Sequence, residues 1–196
     1  MPCTDKPRFD VHELAELNAL AADVIRRAVA ACTRSVPAGN DGRYIAPAAC
    51  FVTLKQQGRL RACIGTLAAH RALRDDVAAN ALAAALRDPR FAPLTAHELP
   101  LTEVEVSVLS APSLLRFANE PDLFAQLRPG VDGLLVEHQG RSASYLPSVW
   151  EQLPERGLFV QELRRKAGIE SSVALTAVRV RRYTTQHSAP CLLLIN

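Results

Sequence analysis

The sequence predicts an α+β protein in which antiparallel strands are mixed with separate helices. Two short apolar runs, residues 50–55 and 59–67, are joined by a Gln-Gly pair that is typical of a tight hairpin turn. A third segment, 101–109, alternates valine with polar residues, and helical periodicity over 10–32 gives the first of several helices. Hairpins combined with segregated helices favour antiparallel sheets over a doubly wound parallel sheet.

The first helix is predicted over residues 10–32, where apolar side chains recur at three- and four-residue spacing. Asp10 is placed to cap its amino terminus, and Glu13, three positions later, completes a capping box. The following segment, 34–47, is rich in proline, glycine, asparagine and aspartate. This composition predicts an exposed connection to the first hairpin.

The remaining elements are predicted from periodicity, turn residues and helix breakers. An alanine-rich helix ends at Asp88, because a proline disfavours helical backbone in the residue before it. A second hairpin turns at Gln139 and Gly140, and a helical region ends at Gly168, a typical left-handed carboxyl-terminal residue. The predicted bounds are 72–87 and 122–127 for helices, 134–138, 141–146 and 175–183 for strands, and 147–166 for the helical region.

Composition excludes several classes of protein. Of 196 residues, 48% are apolar and 22% are charged, as in an ordinary globular chain, and no stretch approaches the roughly 18 apolar residues of a membrane span. The amino-terminal segment lacks the basic and apolar regions of a secretory signal, so we expect a cytoplasmic protein. The net charge of +3 is small, and the basic run Arg179, Arg181 and Arg182 lacks interleaved aromatic residues. Nucleic-acid binding is therefore the least favoured hypothesis.

The cysteines argue against disulfides and cofactors. Their number is odd, they lie far apart, and no CxxC pair frames a zinc or redox site. An iron–sulfur cluster would need a cysteine triad that is absent from the sequence. We therefore expect no metal and no cofactor. The five cysteines are Cys3, Cys32, Cys50, Cys63 and Cys191.

The hexapeptide LRACIG carries the most informative cysteine. If this strand alternates regularly, Leu60, Ala62 and Ile64 share one face while Arg61 and Cys63 share the other. The guanidinium would then lie close to the sulfur and favour its thiolate. Two interpretations remain open: the cysteine is a nucleophile or ligand contact, or it only packs, as buried cysteines commonly do.

Four further residues are candidates for a ligand site. Gly65 would permit a bulge or the close approach of another backbone or a ligand. Arg90, with Asp88, would either hold an anion through its forked donors or tie together the loop after the helix. Lys166 near a helix end is a third cation, although it equally fits the negative end of the helix dipole. The two glutamates of 101–109 point the same way, either as an acid and base pair or as a solvated face.

Four sequence blocks resemble the AMMECR family, the AMMECR-one-like domain that is also the "A" protein of AmmeMemoRadiSam systems. The first resembles the family signature LRGCIG, preceded by a strand of the form FVTL. The resemblance extends over almost the whole chain, and four blocks in the right order are far more specific than one hexapeptide. The blocks are FVTLKQQGRLRACIGTL (51–67), RDPRFAPLTAHELPLTEVEVSVLSAP (87–112), DGLLVEHQGRSASYLPSVW (132–150) and LRRKAGI (163–169).

Two residues depart from the pattern of this family. Ala62 stands where the family usually has glycine, so the backbone there needs no positive φ, or a close approach is relaxed. Arg164 stands where many relatives have a cysteine. Any mechanism that requires that second thiol beside Cys63 is therefore in doubt for this chain.

The resemblance implies one domain over residues 10–185, with 1–9 and 186–196 as terminal tails. It further implies a larger lobe built from both chain ends, a smaller inserted lobe, and a cleft between them near the LRACIG motif. The resemblance establishes no reaction. The family shares the name of its system with Memo-type and radical S-adenosylmethionine proteins, which implies a shared pathway. Whether the chain is an enzyme is left open.

Two hypotheses follow for this cleft. The first is a binding or accessory module that holds a small anionic ligand or a protein partner with Arg61, Gly65, Asp88, Arg90 and Lys166. The alternative is an enzyme in which Cys63 is the nucleophile or thiol contact on a small anionic substrate. We favour the first, because no base is fixed beside the cysteine by any sequence motif.

Overall fold

The computed structural model describes residues 8–30 and 43–194, and it confirms an α+β fold. Within these ranges, four α-helices and three short 3₁₀ helices accompany nine strands. The α-helices are α1 (Val11–Ala30), α2 (Leu73–Leu86), α3 (Glu120–Gln126) and α4 (Arg156–Lys166). The strands are β1 (Cys50–Gln56), β2 (Arg59–Gly65), β3 (Thr102–Leu109), β4 (Ser113–Leu114), β5 (Gly133–His138), β6 (Arg141–Tyr145), β7 (Arg179–Tyr183), β8 (Thr185–His187) and β9 (Cys191–Leu192).

The described part of the chain divides into two units, and each has its own antiparallel sheet. The larger unit contains residues up to Leu109 and from Gln186 onwards, and its sheet has the order β2-β1-β3-β8, with β9 also paired to β3. The smaller unit, Ser110–Thr185, has the order β4-β7-β5-β6. The prediction of a larger part built from both chain ends and a smaller inserted part is confirmed.

The local signals read from the sequence are also confirmed. Asp10 and Glu13 form the predicted capping box, with each backbone N–H bonded to the other side chain at 2.8 Å. Both Gln-Gly turns have positive φ at their two residues, 50° and 74° in the first and 48° and 79° in the second, as tight hairpins require. Gly168 ends α4 with φ 69°.

Three predicted segments differ from the observed ones. The strand predicted over 175–183 begins only at Arg179, because Leu175–Ala177 close a 3₁₀ turn first. The helical region predicted over 147–166 begins at Pro147 as expected but is two elements, a 3₁₀ helix over Pro147–Glu151 and then α4, separated by a proline-containing turn. Residues 186–196 were predicted as a tail; in their described part, 186–194, two residues belong to β8 and two form β9 in the larger sheet. Residues 1–7 and 34–42 of the predicted tail and connection, with Cys3 and Cys32, lie outside the described residues.

Each unit has a separate apolar core. In the larger unit, α1 and α2 pack on one sheet face, and the buried alanines of α2 allow its partners to approach closely. In the smaller unit, Trp150 stacks on Phe159 with ring centroids 3.7 Å apart, among the apolar residues of β5, β7 and α4. None of the described helices is long and apolar enough to span a membrane.

Candidate functional site

The LRACIG strand contains a bulge that changes the predicted arrangement of its side chains. In the pairing of β1 with β2, Leu54 lies opposite Ala62, whereas the next residue of β1, Lys55, lies opposite Leu60. Arg61 is therefore the extra residue of a β-bulge. Ala62 is buried and Leu60 is 46% exposed, so these two residues do not share one face as regular alternation predicts. Because the register shifts by one residue here, regular alternation no longer places Arg61 on the face of Cys63.

Asp88 and Arg90 bind the backbone of Cys63. The N–H of Cys63 donates to Asp88 Oδ2 at 2.9 Å, and Arg90 Nη2 donates to the Cys63 carbonyl at 3.0 Å. Arg90 also donates to both carboxylate oxygens of Asp88, at 2.9 and 2.7 Å. These bonds from Arg90 hold the pKa of Asp88 far below its usual range. The guanidinium predicted to hold an anion is thus committed to Asp88 and to the backbone.

The guanidinium of Arg61 is also bonded to a carboxylate and to the backbone. Its Nε donates to Glu98 Oε1 at 2.9 Å, its Nη2 donates to the carbonyl of Ala92 at 2.9 Å, and 13% of its side chain is exposed. The guanidinium groups of both Arg61 and Arg90 also lie over the ring of Phe91, with 5.8 and 5.5 Å to its centroid. These contacts contradict the expectation of two free guanidinium groups converging on an anion.

The pair of Arg61 with Glu98 predicts a specific acid sensitivity. The hydrogen bond from Arg61 lowers the pKa of Glu98 from 4.5 to about 2. A carboxyl group whose pKa is lower in the folded state stabilises the fold at pH values above its pKa in the unfolded state. For Glu98, this contribution is lost as the pH falls from about 4.5 to about 2. We expect Glu98→Gln to lose about 2 kcal/mol of unfolding free energy at pH 7, and progressively less towards pH 2.

Urea unfolding at a series of pH values measures this difference. Glu120→Gln in α3 of the smaller unit controls for the loss of one carboxylate from the chain. A difference between wild type and Glu98→Gln that stays constant from pH 7 to pH 2 contradicts the prediction.

Gly65 leaves no room for a side chain of its own. Its cross-strand partner is Phe51, and a Cβ at this glycine would lie 2.3 Å from the Phe51 ring and 2.6 Å from the carbonyl oxygen of Cys50. The glycine is required so that the aromatic ring can cover the backbone of the neighbouring strand. Phe51 thus covers Gly65 on the side where a side chain would stand, and the approach of a ligand to this backbone stays a prediction.

Four side chains form a row across one face of the larger sheet, and we call them the polar row: Cys63, Thr53, Glu105 and His187. Thr53 lies opposite Cys63 on one side and opposite Glu105 on the other, and its hydroxyl donates to the Cys63 sulfur at 3.5 Å. Glu105 Oε1 lies 3.2 Å from Nδ1 of His187 in β8, and Lys55 approaches the other carboxylate oxygen at 3.4 Å. Thiol, hydroxyl, carboxylate and imidazole thus follow one another across four strands.

The polar row does not have the geometry of a hydrolytic triad. The hydroxyl of Ser107 lies 2.9 Å from Nδ1 of His187, the same nitrogen that contacts Glu105. A triad needs the nucleophile and the carboxylate on opposite ring nitrogens, so that the ring can transfer a proton between them. The contact with His187 instead lowers the pKa of Glu105 and keeps it ionised. In the described ranges, no three acidic, histidine or cysteine side chains group as a metal site requires.

Lys166 lies in the smaller unit. Its Nζ donates to the carbonyl of Ser144 at 3.0 Å and lies 4.9 Å from the centroid of the Tyr145 ring. Both partners belong to β6, so these contacts join the end of α4 to the sheet of the same unit. They give the lysine a structural role within that unit.

A buried carboxylate that sequence reasoning missed organises the base of the same hairpin. Asp76 in α2 accepts hydrogen bonds from the backbone N–H of Cys50 at 3.0 Å, from the Thr66 hydroxyl at 2.5 Å and from Asn80 at 3.0 Å. Its other oxygen accepts from Arg71 at 2.7 Å. Burial raises the pKa of the Cys50 thiol well above its usual range, so this cysteine is not a nucleophile.

The family comparison gives the chain its place among known proteins. Residues 18–188 match the AMMECR1 family, and this range includes the LRACIG hairpin, the Asp88 and Arg90 pair and all members of the polar row. The chain belongs to the AMMECR1 family. The contacts described above are therefore contacts of an AMMECR1-family protein, and the predicted resemblance is confirmed.

Similar proteins come from several archaea, and none has a name that states a function. A Methanothermobacter thermautotrophicus protein is 42% identical over 50% of this chain and 52% of its own length. A Saccharolobus islandicus protein is 36% identical over 68% of this chain and 62% of its own. Protein MJ0810 of Methanocaldococcus jannaschii is 33% identical over 70% of each. The matches thus span about half to three-fifths of the first two relatives.

A solved structure has the same fold. The crystal structure of the uncharacterised protein PH0010 from Pyrococcus horikoshii matches with a TM-score of 0.80, covering 94% of this chain and 98% of that one. The two sequences are 24% identical over this match. The likeness establishes the fold of this AMMECR1-family protein and carries no information about its chemistry.

Proposed function

We propose that this protein is a binding module, and that the polar row of the larger sheet, with Lys55 beside it, contacts the bound molecule. This proposal rests on one observation: the polar groups around Cys63 are already bonded to other parts of the protein. Asp88 and Arg90 bind its backbone, Arg61 is paired with Glu98, and its sulfur accepts a hydrogen bond from a threonine. A nucleophilic thiol needs a base or a cation directed at the sulfur.

The chemistry of the row supports a ligand that both donates and accepts hydrogen bonds. Glu105 is an ionised acceptor with 20% of its side chain exposed, and Lys55 is a donor with 41% exposed. Their 3.4 Å contact is loose for a charge-assisted hydrogen bond. An amide group offers a donor to the carboxylate and an acceptor to the ammonium, so a peptide-like ligand is the best match. Cys63 would then be a contact at the end of the row.

The wider context of this proposal comes from the family. We place the protein, as an accessory component, in a pathway with Memo-type and radical S-adenosylmethionine proteins, and in the cytoplasm. The alternative function is a thiol enzyme that acts on a small anionic substrate through Cys63. The polar row supports the first function more strongly, because β1 separates the strands of Glu105 and His187 from β2, which carries the sulfur.

Cysteine alkylation separates the two functions. We expect iodoacetamide to modify Cys63 at pH 7 no faster than it modifies glutathione, and Cys50 to react only after unfolding, since it is buried and its thiol pKa is raised. Mass spectrometry of the digested protein gives the rate for each cysteine. A Cys63 rate tenfold or more above that of glutathione supports the enzyme and contradicts the binding module.

Binding is measured on the same protein with capped di- and tripeptides as probes in ligand-observed NMR. We expect at least one probe to bind at millimolar concentration, and Glu105→Gln to weaken it about fivefold, as the loss of one partly exposed charged partner does. Asp23→Asn on α1, which also removes one paired carboxylate, should leave the affinity unchanged. Absence of binding by all probes, or equal binding by Glu105→Gln, refutes the proposed surface.

A further inference from the structure

The smaller unit has a groove lined only by its own residues. It is open to solvent and has a volume of about 740 Å³, which is within the range of sites for small organic molecules. Its walls come from β4 and the residues after it, the turn between β5 and β6, and the start of β7. We call it the basic groove and define it by Leu114, Arg116, Phe117, Glu137, Arg141 and Arg179.

The lining of the basic groove carries excess positive charge. Three arginines, Arg116, Arg141 and Arg179, face a single carboxylate, that of Glu137, so two positive charges remain when the lining histidine is neutral. Glu137 is also contacted by Arg181 at 3.4 Å, which engages the same carboxylate oxygen. A concave surface with uncompensated guanidinium groups attracts anions.

Two of these arginines have donors that the protein does not use. Among the described residues, the side chain of Arg116 has no hydrogen-bond or ion-pair partner, and it is exposed. The side chain of Arg179 is 60% exposed, and its one ion pair, with Glu137, is long at 4.0 Å. Arg141, by contrast, donates to the carbonyl of Gly168. This differs from the larger unit, where Arg61 and Arg90 are bound to carboxylates.

The groove also offers apolar surface next to these charges. Leu114 is 51% exposed, and Phe117 is partly buried against the apolar core of the same unit. An exposed leucine beside an aromatic ring gives the carbon skeleton of a ligand a surface to cover. Inorganic phosphate would leave this surface uncovered.

We propose that the basic groove binds a small phosphorylated organic molecule. Arg116 and Arg179 contact the phosphate, and the organic part lies on Leu114 and Phe117. A phosphate dianion matches the two excess positive charges, and the forked guanidinium group is well suited to bind it. This site is independent of the polar row and goes beyond the function proposed for it.

Phenyl phosphate is the probe that tests the proposal, with NMR titration of the full chain as the measurement. We expect saturable binding, with shifts of the backbone amides of Leu115 and Gly140, which line the groove. Arg116→Gln and Arg179→Gln should each weaken the binding about fivefold or more. Inorganic phosphate and benzoate should each bind more weakly, since one lacks the ring and the other carries a single charge.

Arg165→Gln is the matched control. Arg165 belongs to the same unit, its side chain is 79% exposed, and it pairs with Glu162 outside the basic groove. Its loss should leave phenyl phosphate binding unchanged. The proposal is overturned if phenyl phosphate does not bind, if the two groove variants bind it as wild type does, or if Arg165→Gln weakens it equally. Benzoate binding as tight as that of phenyl phosphate overturns the assignment of a phosphate.

Discussion

Replacing Asp76 with alanine should destabilise the larger unit by about 3–5 kcal/mol, because it removes one partner of a buried, hydrogen-bonded ion pair. Only 1% of the Asp76 side chain is exposed, against 34% for Arg71. The same change leaves the buried N–H of Cys50 without its acceptor, and it also removes the acceptor of the partly buried Thr66 hydroxyl. Urea unfolding of the purified variant measures the loss.

A neighbouring aspartate provides the control for this experiment. Asp75 precedes Asp76 in α2, and 59% of its side chain is exposed, so Asp75→Asn should change the unfolding free energy by less than about 0.5 kcal/mol. Asp76→Asn keeps the volume and removes only the charge, which keeps the test measurable if the alanine variant does not fold. An Asp76→Asn protein as stable as wild type would show that the carboxylate does not organise this region.

The second large effect is expected for Gly65→Ala, which should cost roughly 2 kcal/mol or more, as overpacking of a well-packed site does. The added Cβ would lie 2.3 Å from the Phe51 ring and 2.6 Å from the Cys50 carbonyl oxygen. The ring can rotate away only by leaving the surface that it covers, and the carbonyl belongs to β1 and moves only with the strand. Thermal or urea unfolding measures the cost.

Two further variants test this explanation. Gly157→Ala in α4 places its Cβ 3.7 Å from Phe124, an ordinary contact, so it should be neutral or stabilise the helix by about 0.5 kcal/mol. In the double variant Phe51→Ala with Gly65→Ala, the ring clash is absent, and the combined loss should be smaller than the sum of the two single losses. Additive losses would mean that Phe51 and Gly65 do not constrain each other.

The elements of the fold could be predicted because their signals are local. Capping at Asp10, the two Gln-Gly turns and the alternation of β3 are each specified by a few adjacent residues. An element such as β9, which was predicted as part of a tail, depends instead on pairing with a strand far away in the sequence. β9 is two residues long and forms by pairing with β3, about ninety positions earlier in the chain, so its own sequence contains little evidence for it.

The candidate site was predicted in part for the same reason. Alternation in β3 correctly separates Glu103 and Glu105 from the buried valines, but a single-residue bulge in β2 moves Arg61 out of the expected pattern. Which carboxylate pairs with an arginine depends on the tertiary structure, and nothing near Arg61 in the sequence points to Glu98. His187 was missed because it reaches Glu105 only through the pairing of a carboxyl-terminal strand.

The pair formed by Asp88 and Arg90 has a consequence for the behaviour of this protein in concentrated solution. β2 is the outermost strand of its sheet, and an uncovered outer strand is a template on which another chain can add a strand of its own. By occupying the N–H and the carbonyl of Cys63, the two side chains block the middle of that template. The aspartate and arginine of the DPRF segment thus protect the protein from self-association through its sheet, a role that requires no ligand.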